Sequence, residues 1–288
     1  MIDFQHVSKN YGGQDVLINV SFRINPGEHV GIVGPNGAGK STIFGLITGD
    51  VPLDDGEVSV PGEMTIGYVR QQLNPHLVDC SLREYAEAAA SDCRELERRI
   101  DAIHDQLPQT EGTEQAGLLE ELGEAQAAFE RMGGYDLQHR AEAALCGLGF
   151  TADDLKRQFS EFSGGWQMRA ELARVLVARS DMLLLDEPSN YLDLPAIEWL
   201  KRYLQEFEGT LALVSHDRYL LNELTKVTLE VNGARVTRYA GPCDYYLRER
   251  KLRYEQQLAE KKNYDRKRQQ IERTGGAACR RVGLKASP

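Results

Sequence analysis

The chain has 288 residues, 41% of them apolar, so it can bury a core large enough for one sizeable domain with appendages or for two modest domains. No apolar stretch approaches the ~20 residues that span a bilayer, and the N-terminus lacks the basic start and apolar segment of a secretory signal. The net charge is −10, and five scattered cysteines without CxxC spacing argue against a disulfide framework or a zinc site and predict a reducing, cytoplasmic location.

Residues 1–33 predict strands joined by turns, because apolar and polar residues alternate on both sides of a Pro26-Gly27 break. An apolar segment, the glycine-rich stretch "GPNGAGKST" and a run with helical spacing that ends at Gly49 follow in turn. A strand, a glycine loop and a helix in this order are the context that a phosphate-binding loop requires.

The glycine-rich stretch fits the pattern GxxxxGK[ST], in which backbone N–H groups surround phosphate oxygens at the positive end of a helix. We expect Lys40 to reach the β- and γ-phosphates and the Ser41 hydroxyl to bind Mg²⁺. The predicted cofactors are therefore ATP and Mg²⁺. The predicted nucleotide-binding residues of this loop are Gly34, Pro35, Asn36, Gly37, Ala38, Gly39, Lys40, Ser41 and Thr42.

Two positions outside the loop are further candidates for nucleotide or metal contact. Gln71 follows the strand "IGYV" and offers an amide oxygen to Mg²⁺ or to water, with Gln72 as the alternative. Tyr11 can stack on a purine through its ring face, and core packing is the alternative interpretation of this early aromatic residue.

The next part of the chain, residues 72–165, predicts a helical subdomain. Within it, residues 84–132 carry apolar side chains at helical spacing on either side of the breaker-rich stretch "PQTEGTEQAG", which predicts an antiparallel helical hairpin. These residues hold 13 Asp/Glu and 4 Arg, a balance that repels a phosphate backbone. We therefore expect the hairpin to serve packing or protein contact.

The stretch "EFSGGWQMRAELARVL" predicts a second helix start suited to an anion. Ser163 is a natural N-cap, Gly164 and Gly165 allow a close approach, and an apolar face follows. The chain thus has two such helix starts but one phosphate loop.

Two nearly continuous apolar strands, "MLLLD" and "TLALV", flank a helix with Pro195 near its start, which predicts a β-α-β unit with buried parallel strands. Asp186 at the end of the first strand can hold Mg²⁺ through water, and the adjacent Glu187 can meet the water that attacks the γ-phosphate. His216 follows the second strand, at the edge where open α/β sheets bind ligands, so it can contact the γ-phosphate or position that water.

The end of the chain differs in charge from the rest. Residues 248–288 carry 13 Lys/Arg and 5 Asp/Glu, a balance of +8, whereas the other 247 residues carry 21 Lys/Arg and 39 Asp/Glu, a balance of −18. A basic helix is predicted for residues 246–273, and "TGGAACRRVGLKASP" predicts a break and a disordered tail over residues 274–288. Charge alone is compatible with a polyanion partner and equally with a solvated helix.

In their order along the chain, "GPNGAGKST", "VRQQ", "FSGGWQMRAELARVL", "LLLDEPSNYLDL" and "LVSHDR" resemble the motifs of the ATP-binding cassette (ABC) ATPases over residues 1–245. The resemblance implies an α/β fold: a P-loop core of ABC type with an antiparallel β subdomain, a helical subdomain and a C-terminal basic helix. It identifies Gln71 with the lid glutamine, Glu187 with the catalytic glutamate and His216 with the switch histidine. It also identifies Ser163, Gly164 and Gly165 with the signature, Asp186 with the Mg²⁺-associated aspartate and Asp193 with the dimer seam.

Within that superfamily, "FSGGW", "DEPSNYLDL", "SHDRYLL" and the basic helix resemble the ABC-F branch. That resemblance implies an N-terminal cassette of a tandem protein, a second cassette that completes the ATP sites, and a ribosomal RNA partner in translation. The alternatives are the ATPase subunit of a membrane transporter and a DNA-associated ATPase. Because the similarity stops after Arg273, we expect the chain to be a first half that pairs with a missing second half or with another copy.

Overall fold

The computed structural model describes residues 1–70 and 79–282. The chain divides into two compact units, Met1–Pro242 and Cys243–Pro288. In the described residues, the strands are β1 (Ile2–Tyr11), β2 (Gln14–Ile24), β3 (His29–Val33), β4 (Asp55–Ser59), β5 (Ile66–Val69), β6 (Met182–Asp186), β7 (Thr210–Val214), β8 (Val227–Asn232) and β9 (Arg235–Tyr239). The α-helices are α1 (Lys40–Thr48), α2 (Leu82–Glu87), α3 (Ser91–Gln106), α4 (Thr113–Arg131), α5 (Leu137–Gly147), α6 (Gly164–Val177), α7 (Leu194–Glu206), α8 (Arg218–Leu224) and α9 (Cys243–Val282).

A six-stranded sheet with the order β5-β6-β7-β3-β8-β9 forms the centre of the first unit. Its strands pair in parallel except for β9, which runs antiparallel to β8. Every residue of β6 and β7 is buried, as expected for strands covered on both faces. The predicted β-α-β unit is present as β6, α7 and β7. Because β3, β6 and β7 are neighbours with the same direction, the loops that follow them meet at one edge of the sheet.

A separate three-stranded sheet with the order β2-β1-β4 is antiparallel throughout. Its inner face joins the main core, where the rings of Phe4 and Phe22 stack with centroids 4.3 Å apart. The same core includes Ile43 and Phe44 of α1, which are fully buried. The antiparallel β subdomain beside a P-loop core is thus confirmed, and the packing fixes β2 against the start of α1.

The helices α2 to α6 form a helical subdomain, as the sequence predicts, and α6 extends to Val177, beyond the predicted bound at residue 165. The hairpin of this subdomain consists of α3 and α4, and the predicted start at residue 84 falls in the separate short helix α2. A capping box explains this helix: the Ser81 hydroxyl accepts from the Glu84 N–H, and the Glu84 carboxylate accepts from the Ser81 N–H. The buried face of the hairpin includes Ile103, Leu122 and Phe129.

The second unit contains α9, a helix of 40 residues. It extends to Val282, beyond Arg273 where the sequence predicts its end. The glycine pair at 275–276 disfavours a helix, but the alanines and arginines that follow have high helix propensity. The last six positions of the predicted disordered tail, 283–288, lie outside the described residues. Among the described helices, none combines the length and apolar character that crossing a membrane requires.

Candidate functional site

The loop between β3 and α1 is shaped by its glycines. Gly37 and Gly39 adopt φ values of 76° and 104°, in the left-handed region that disfavours other residues. A Cβ on Gly39 would also overlap the Val16 side chain, whereas one on Gly37 would meet open space. The β subdomain therefore packs directly on the end of the loop, and α1 begins at Lys40 with its N-terminal N–H groups available to an anion.

Lys40 and Ser41 are the first two residues of α1 and have different partners. The Lys40 Nζ donates to the carbonyl oxygens of Gly34 at 3.0 Å and Pro35 at 3.1 Å. The Ser41 hydroxyl donates a 2.6 Å hydrogen bond to Asp186 Oδ2 at the end of β6. The pair predicted to share one Mg²⁺ is thus in direct contact.

The side chains of Asp186 and Glu187 diverge at the end of β6, where both residues are buried. Glu187 has a φ of 53°, and its N–H donates to the Val214 carbonyl on β7 at 2.9 Å. Its Oε2 accepts from the His216 N–H at 3.2 Å, whereas its buried Oε1 has no hydrogen-bond partner among the described residues. A buried carboxylate oxygen that makes no hydrogen bond can accept a proton as a general base.

His216 connects the three loops of this edge. Its Nε2 lies 3.2 Å from Asn36 Oδ1 in the glycine loop and 3.4 Å from Glu187 Oε1. The side chain is 64% exposed, so the ring is free to meet a ligand as well as these two neighbours.

A cleft of about 700 Å³ opens over these side chains. Tyr11 lies at its rim with 48% exposure, which places the ring beside the loop rather than in the core. The predicted site residues that line the cleft are Tyr11, Asn36, Gly37, Gly39, Lys40, Ser41, Thr42, Asp186, Glu187 and His216. Of the others in the loop, Gly34 and Pro35 accept the Lys40 hydrogen bonds, and Ala38 packs against the core.

Gln71, with its alternative Gln72, lies outside the described residues. The remaining candidates do not contribute to the part of the cleft that the structure describes. Ser163 holds the N-cap position of α6 but makes no capping hydrogen bond through its side chain, and Gly164 is exposed with open space beside it. Neither residue is part of the described lining of the cleft.

Asp193 holds the N-cap of α7, where its Oδ1 accepts from the Ala196 N–H at 3.1 Å. Its Oδ2 lies 3.1 Å from Arg169 Nη1 on α6. The Ala196 N–H and then the Arg169 guanidinium hold the pKa of this carboxyl below its ordinary value. The ionised form of Asp193 is thus favoured beside α6.

The cleft fits a magnesium nucleotide. Its glycine loop leads into the N-terminus of α1, whose N–H groups can bind phosphate, and the Ser41–Asp186 contact supplies the hydroxyl and carboxylate oxygens that Mg²⁺ prefers. No group of three or more His, Cys, Asp and Glu side chains that could hold a metal occurs in the described part of the chain. Mg²⁺ takes one or two protein oxygens and completes its shell with phosphates and water.

Four residues were not predicted from the sequence. Gln14, Val16 and Asn190 line the cleft, and Arg169 joins α6 to the segment that follows Glu187. A signal for Asn190 was present, since it follows Glu187 by three residues in "DEPSN". The positions of Val16 and Arg169 depend on contacts between distant segments and have no local pattern.

The chain is similar to several known proteins. Residues 17–190 match the family model described as "ABC transporter". The probable ATP-binding protein YheS of Escherichia coli strain K12 is 36% identical over 259 residues, which are 90% of this chain and 39% of that protein. The tylosin resistance ATP-binding protein TlrC of Streptomyces fradiae is 36% identical over 275 residues, 92% of this chain and 49% of that protein. The chain therefore spans less than half the length of these relatives.

A solved structure supports the fold. The ATP-binding cassette MJ0796, described as a dimer in a post-hydrolysis state bound to ADP and Pi, superposes with a TM-score of 0.58 at 22% identity. The superposition covers 83% of this chain and 98% of that one.

Proposed function

The chain belongs to the ABC transporter family of ATP-binding cassettes, and from this premise we propose that it is an ATP-hydrolysing cassette of the ABC-F type that acts with a second cassette on the ribosome. The observation that carries the catalytic part is the convergence of Ser41, Asp186, Glu187 and His216 on one cleft at the glycine loop.

Each of these residues has a role that its contacts support. The backbone N–H groups of the glycine loop and Lys40 bind the phosphates, and Lys40 leaves the Gly34 and Pro35 carbonyls to do so. Ser41 and Asp186 hold Mg²⁺, which supplies charge neutralisation of the phosphates when it is bound. Glu187 accepts a proton from the attacking water through its Oε1, which makes no hydrogen bond within the described residues, and His216, whose Nε2 lies 3.4 Å from that oxygen, orients the water or the γ-phosphate. Tyr11 stacks on the base.

The second cassette is supported by the signature Ser163–Gly165. In this helix start Ser163 and Gly164 are exposed, and all three residues lie outside the described lining of the chain's own cleft. A nucleotide bound by another cassette would satisfy its N–H groups, and MJ0796 is described as a dimer bound to ADP and Pi. The partner is a second copy of this chain or a second cassette of a longer protein.

The ABC-F assignment and the RNA partner rest on different observations. The motif set and the identity to YheS and TlrC support the ABC-F branch, and the name of TlrC links that protein to tylosin resistance. The excess of 13 Lys/Arg over 5 Asp/Glu from residue 248 supports contact with a polyanion, because each neutralised phosphate releases counterions. A cytoplasmic location follows from this proposal.

Sedimentation with purified ribosomes tests the proposal. We expect Glu187→Gln to co-sediment with ribosomes when ATP is present and to stay in the supernatant without it, because ATP is bound but not hydrolysed. Lys40→Ala is the matched control, since it carries the same basic helix but lacks the phosphate contact. Recovery with duplex DNA instead, or only with a permease in detergent, would replace this function with one of the two alternatives.

A further inference from the structure

Arg169 contacts two segments that are distant from it in the sequence, one at Leu148 and one at Tyr191 and Asp193. From α6, its Nε donates to the Tyr191 carbonyl at 2.6 Å, and its Nη1 donates to Asp193 Oδ2 at 3.1 Å and to the Leu148 carbonyl at 3.2 Å. Its guanidinium carbon lies 4.4 Å from the centroid of the Trp166 ring. The side chain is only 12% exposed, so it is held in one place by these neighbours.

This set of partners requires an arginine. The guanidinium is planar and presents five N–H donors in a fixed fork, which allows one side chain to bind two carbonyls and a carboxylate while its face rests on an aromatic ring. A lysine has one ammonium on a flexible stem and cannot match these directions together.

Two of the partners belong to the short segment that follows Glu187. A 3₁₀ helix, Pro188–Tyr191, begins directly after that residue, and the Asn190 N–H donates to the Glu187 carbonyl at 3.2 Å. The Leu192 N–H donates to Ser189 at 3.2 Å. Apart from these local bonds, the segment is fixed by Arg169 on one side and by the N-cap of α7 on the other.

The same arginine lies close to the signature. It is on the helix that begins at Gly164, and Trp166, whose ring it covers, comes directly after Gly165. Ser163, Gly164 and Asp193 are all exposed, so the elements joined by Arg169 have outer sides available to a partner.

We propose that Arg169 is a positioning residue that clamps residues 189–193 to the start of α6, so that the signature and Asp193 face a second cassette as one rigid surface. The clamp also holds the segment leading away from Glu187, and it thereby links contact with a partner to the position of the candidate base. The part concerning a second cassette rests on the proposed function.

Hydrogen exchange of the full chain without nucleotide tests the clamp directly. In Arg169→Gln we expect the amides of Asn190 and Leu192 to exchange about tenfold faster than in the wild type. The reason is that the hydrogen bonds from the Arg169 guanidinium to the Tyr191 carbonyl and the Asp193 carboxylate are lost. The amides of β6 and β7 should keep their wild-type rates, since a role confined to positioning leaves the sheet intact.

Arg157→Gln is the matched control. Arg157 also binds two acceptors, Asp154 at 2.8 Å and Glu161 at 3.2 Å, and its guanidinium lies 4.5 Å from the Phe162 ring centroid, but its side chain contacts no residue of 189–193. We expect wild-type exchange at Asn190 and Leu192 in this variant. Arg169→Lys, which keeps the charge without the fork, should give an intermediate rate and remains measurable if the glutamine variant fails to fold.

Unchanged exchange at Asn190 and Leu192 in both Arg169 variants would overturn the proposal. Equal acceleration of exchange in β6 and β7 would also overturn it, because Arg169 would then stabilise the whole fold. Binding of a fluorescent ATP analogue to the wild-type chain is measured in parallel. Loss of that binding would refute the nucleotide site but leave the exchange result intact, so the two failures are distinguishable.

Discussion

Ser41 and Asp186 are 145 positions apart in the chain, yet the Ser41 hydroxyl donates a 2.6 Å hydrogen bond to Asp186 Oδ2. The contact exists because β3 and β6 end at the same edge of the sheet, with β7 between them. It places a hydroxyl and a carboxylate at the mouth of the glycine loop, where a cation that bridges phosphates would bind.

Ser41→Ala removes one of these two oxygens and leaves the loop backbone in place. We expect the Mg²⁺ concentration for half-maximal binding of an ATP analogue to rise by about tenfold or more, since loss of a group that supports a metal weakens its affinity to this extent. Magnesium titrations with a fluorescent analogue measure the shift. Thr48→Ala at the other end of α1 is the control, and an equal effect there would contradict the assignment.

Lys40→Ala acts on the phosphates directly. A charge-assisted hydrogen bond contributes about 1.5–3 kcal/mol, so we expect ATP affinity to fall by roughly 10- to 100-fold. Lys226→Ala, at an exposed position away from the cleft, should leave the affinity unchanged. Equal binding by the Lys40 variant and the wild type, measured by equilibrium fluorescence, would show that Lys40 keeps its contacts with Gly34 and Pro35 when nucleotide is bound.

Glu187→Gln preserves the size of the side chain and an acceptor for the His216 N–H but removes the base. We expect hydrolysis to slow by about 10²–10⁴-fold, the usual contribution of a positioned general base, while ATP affinity is retained. Phosphate release and analogue binding are measured on the same samples. Glu206→Gln, at the exposed end of α7, should hydrolyse ATP at the wild-type rate, and a Glu187 variant that does the same would remove Glu187 from this role.

The parts of the fold that the sequence predicts well are those with local signals. The glycine loop between β3 and α1 is predicted by a motif of consecutive residues. The elements β6, α7 and β7 are predicted by two apolar segments on either side of a helix that has a proline near its N-terminus. The convergence of Asp186 and His216 on the loop follows from a general rule for the carboxyl ends of parallel strands.

Other features depend on contacts between residues distant in the sequence, which no local sequence pattern predicts. Arg169 sits in an amphipathic helix, where an arginine usually indicates a solvated face, and two of its acceptors are the backbone carbonyls of Leu148 and Tyr191. Val16 reaches the glycine loop only because the antiparallel sheet packs on it. The continuation of α9 beyond Arg273 shows in turn that a glycine pair weakens a helix without always ending it.

Substitution of Gly147, at the end of α5, tests how α5 packs on α7. A Cβ at this position would overlap the ring of Trp199, which also stacks on Tyr203 at 5.5 Å. We expect Gly147→Ala to lower the free energy of unfolding by about 1–3 kcal/mol, the typical cost of overpacking. Gly123→Ala in α4, where a Cβ meets open space, should instead raise it by about 0.5–1 kcal/mol through helix propensity. Urea unfolding followed by tryptophan fluorescence measures both, and a Gly147 variant as stable as the Gly123 variant would contradict this packing.

Because Asp193 is titratable, we expect its contribution to the free energy of unfolding to depend on pH. Comparison with the Asp193→Asn variant isolates that contribution. The Ala196 N–H and Arg169 hold the pKa of this carboxyl below the ordinary value of 3.8, so the ionised form is favoured in the folded state. A lowered folded pKa means that the stabilisation is present above pH 3.8 and is lost as the pH falls through the folded value.

Asp193→Asn keeps an N-cap acceptor for the Ala196 N–H, because asparagine caps helices as well as aspartate does, but it removes the charge that faces Arg169. We expect the wild type to be the more stable protein at pH 7 and the difference in free energy of unfolding to shrink progressively below pH 3.8. Because Asp193 is largely exposed, salt should reduce the same difference at pH 7. Urea titrations of both proteins at pH 7, 5 and 3.5 measure the difference, and a value independent of pH would exclude the ionised Asp193–Arg169 pair as its source.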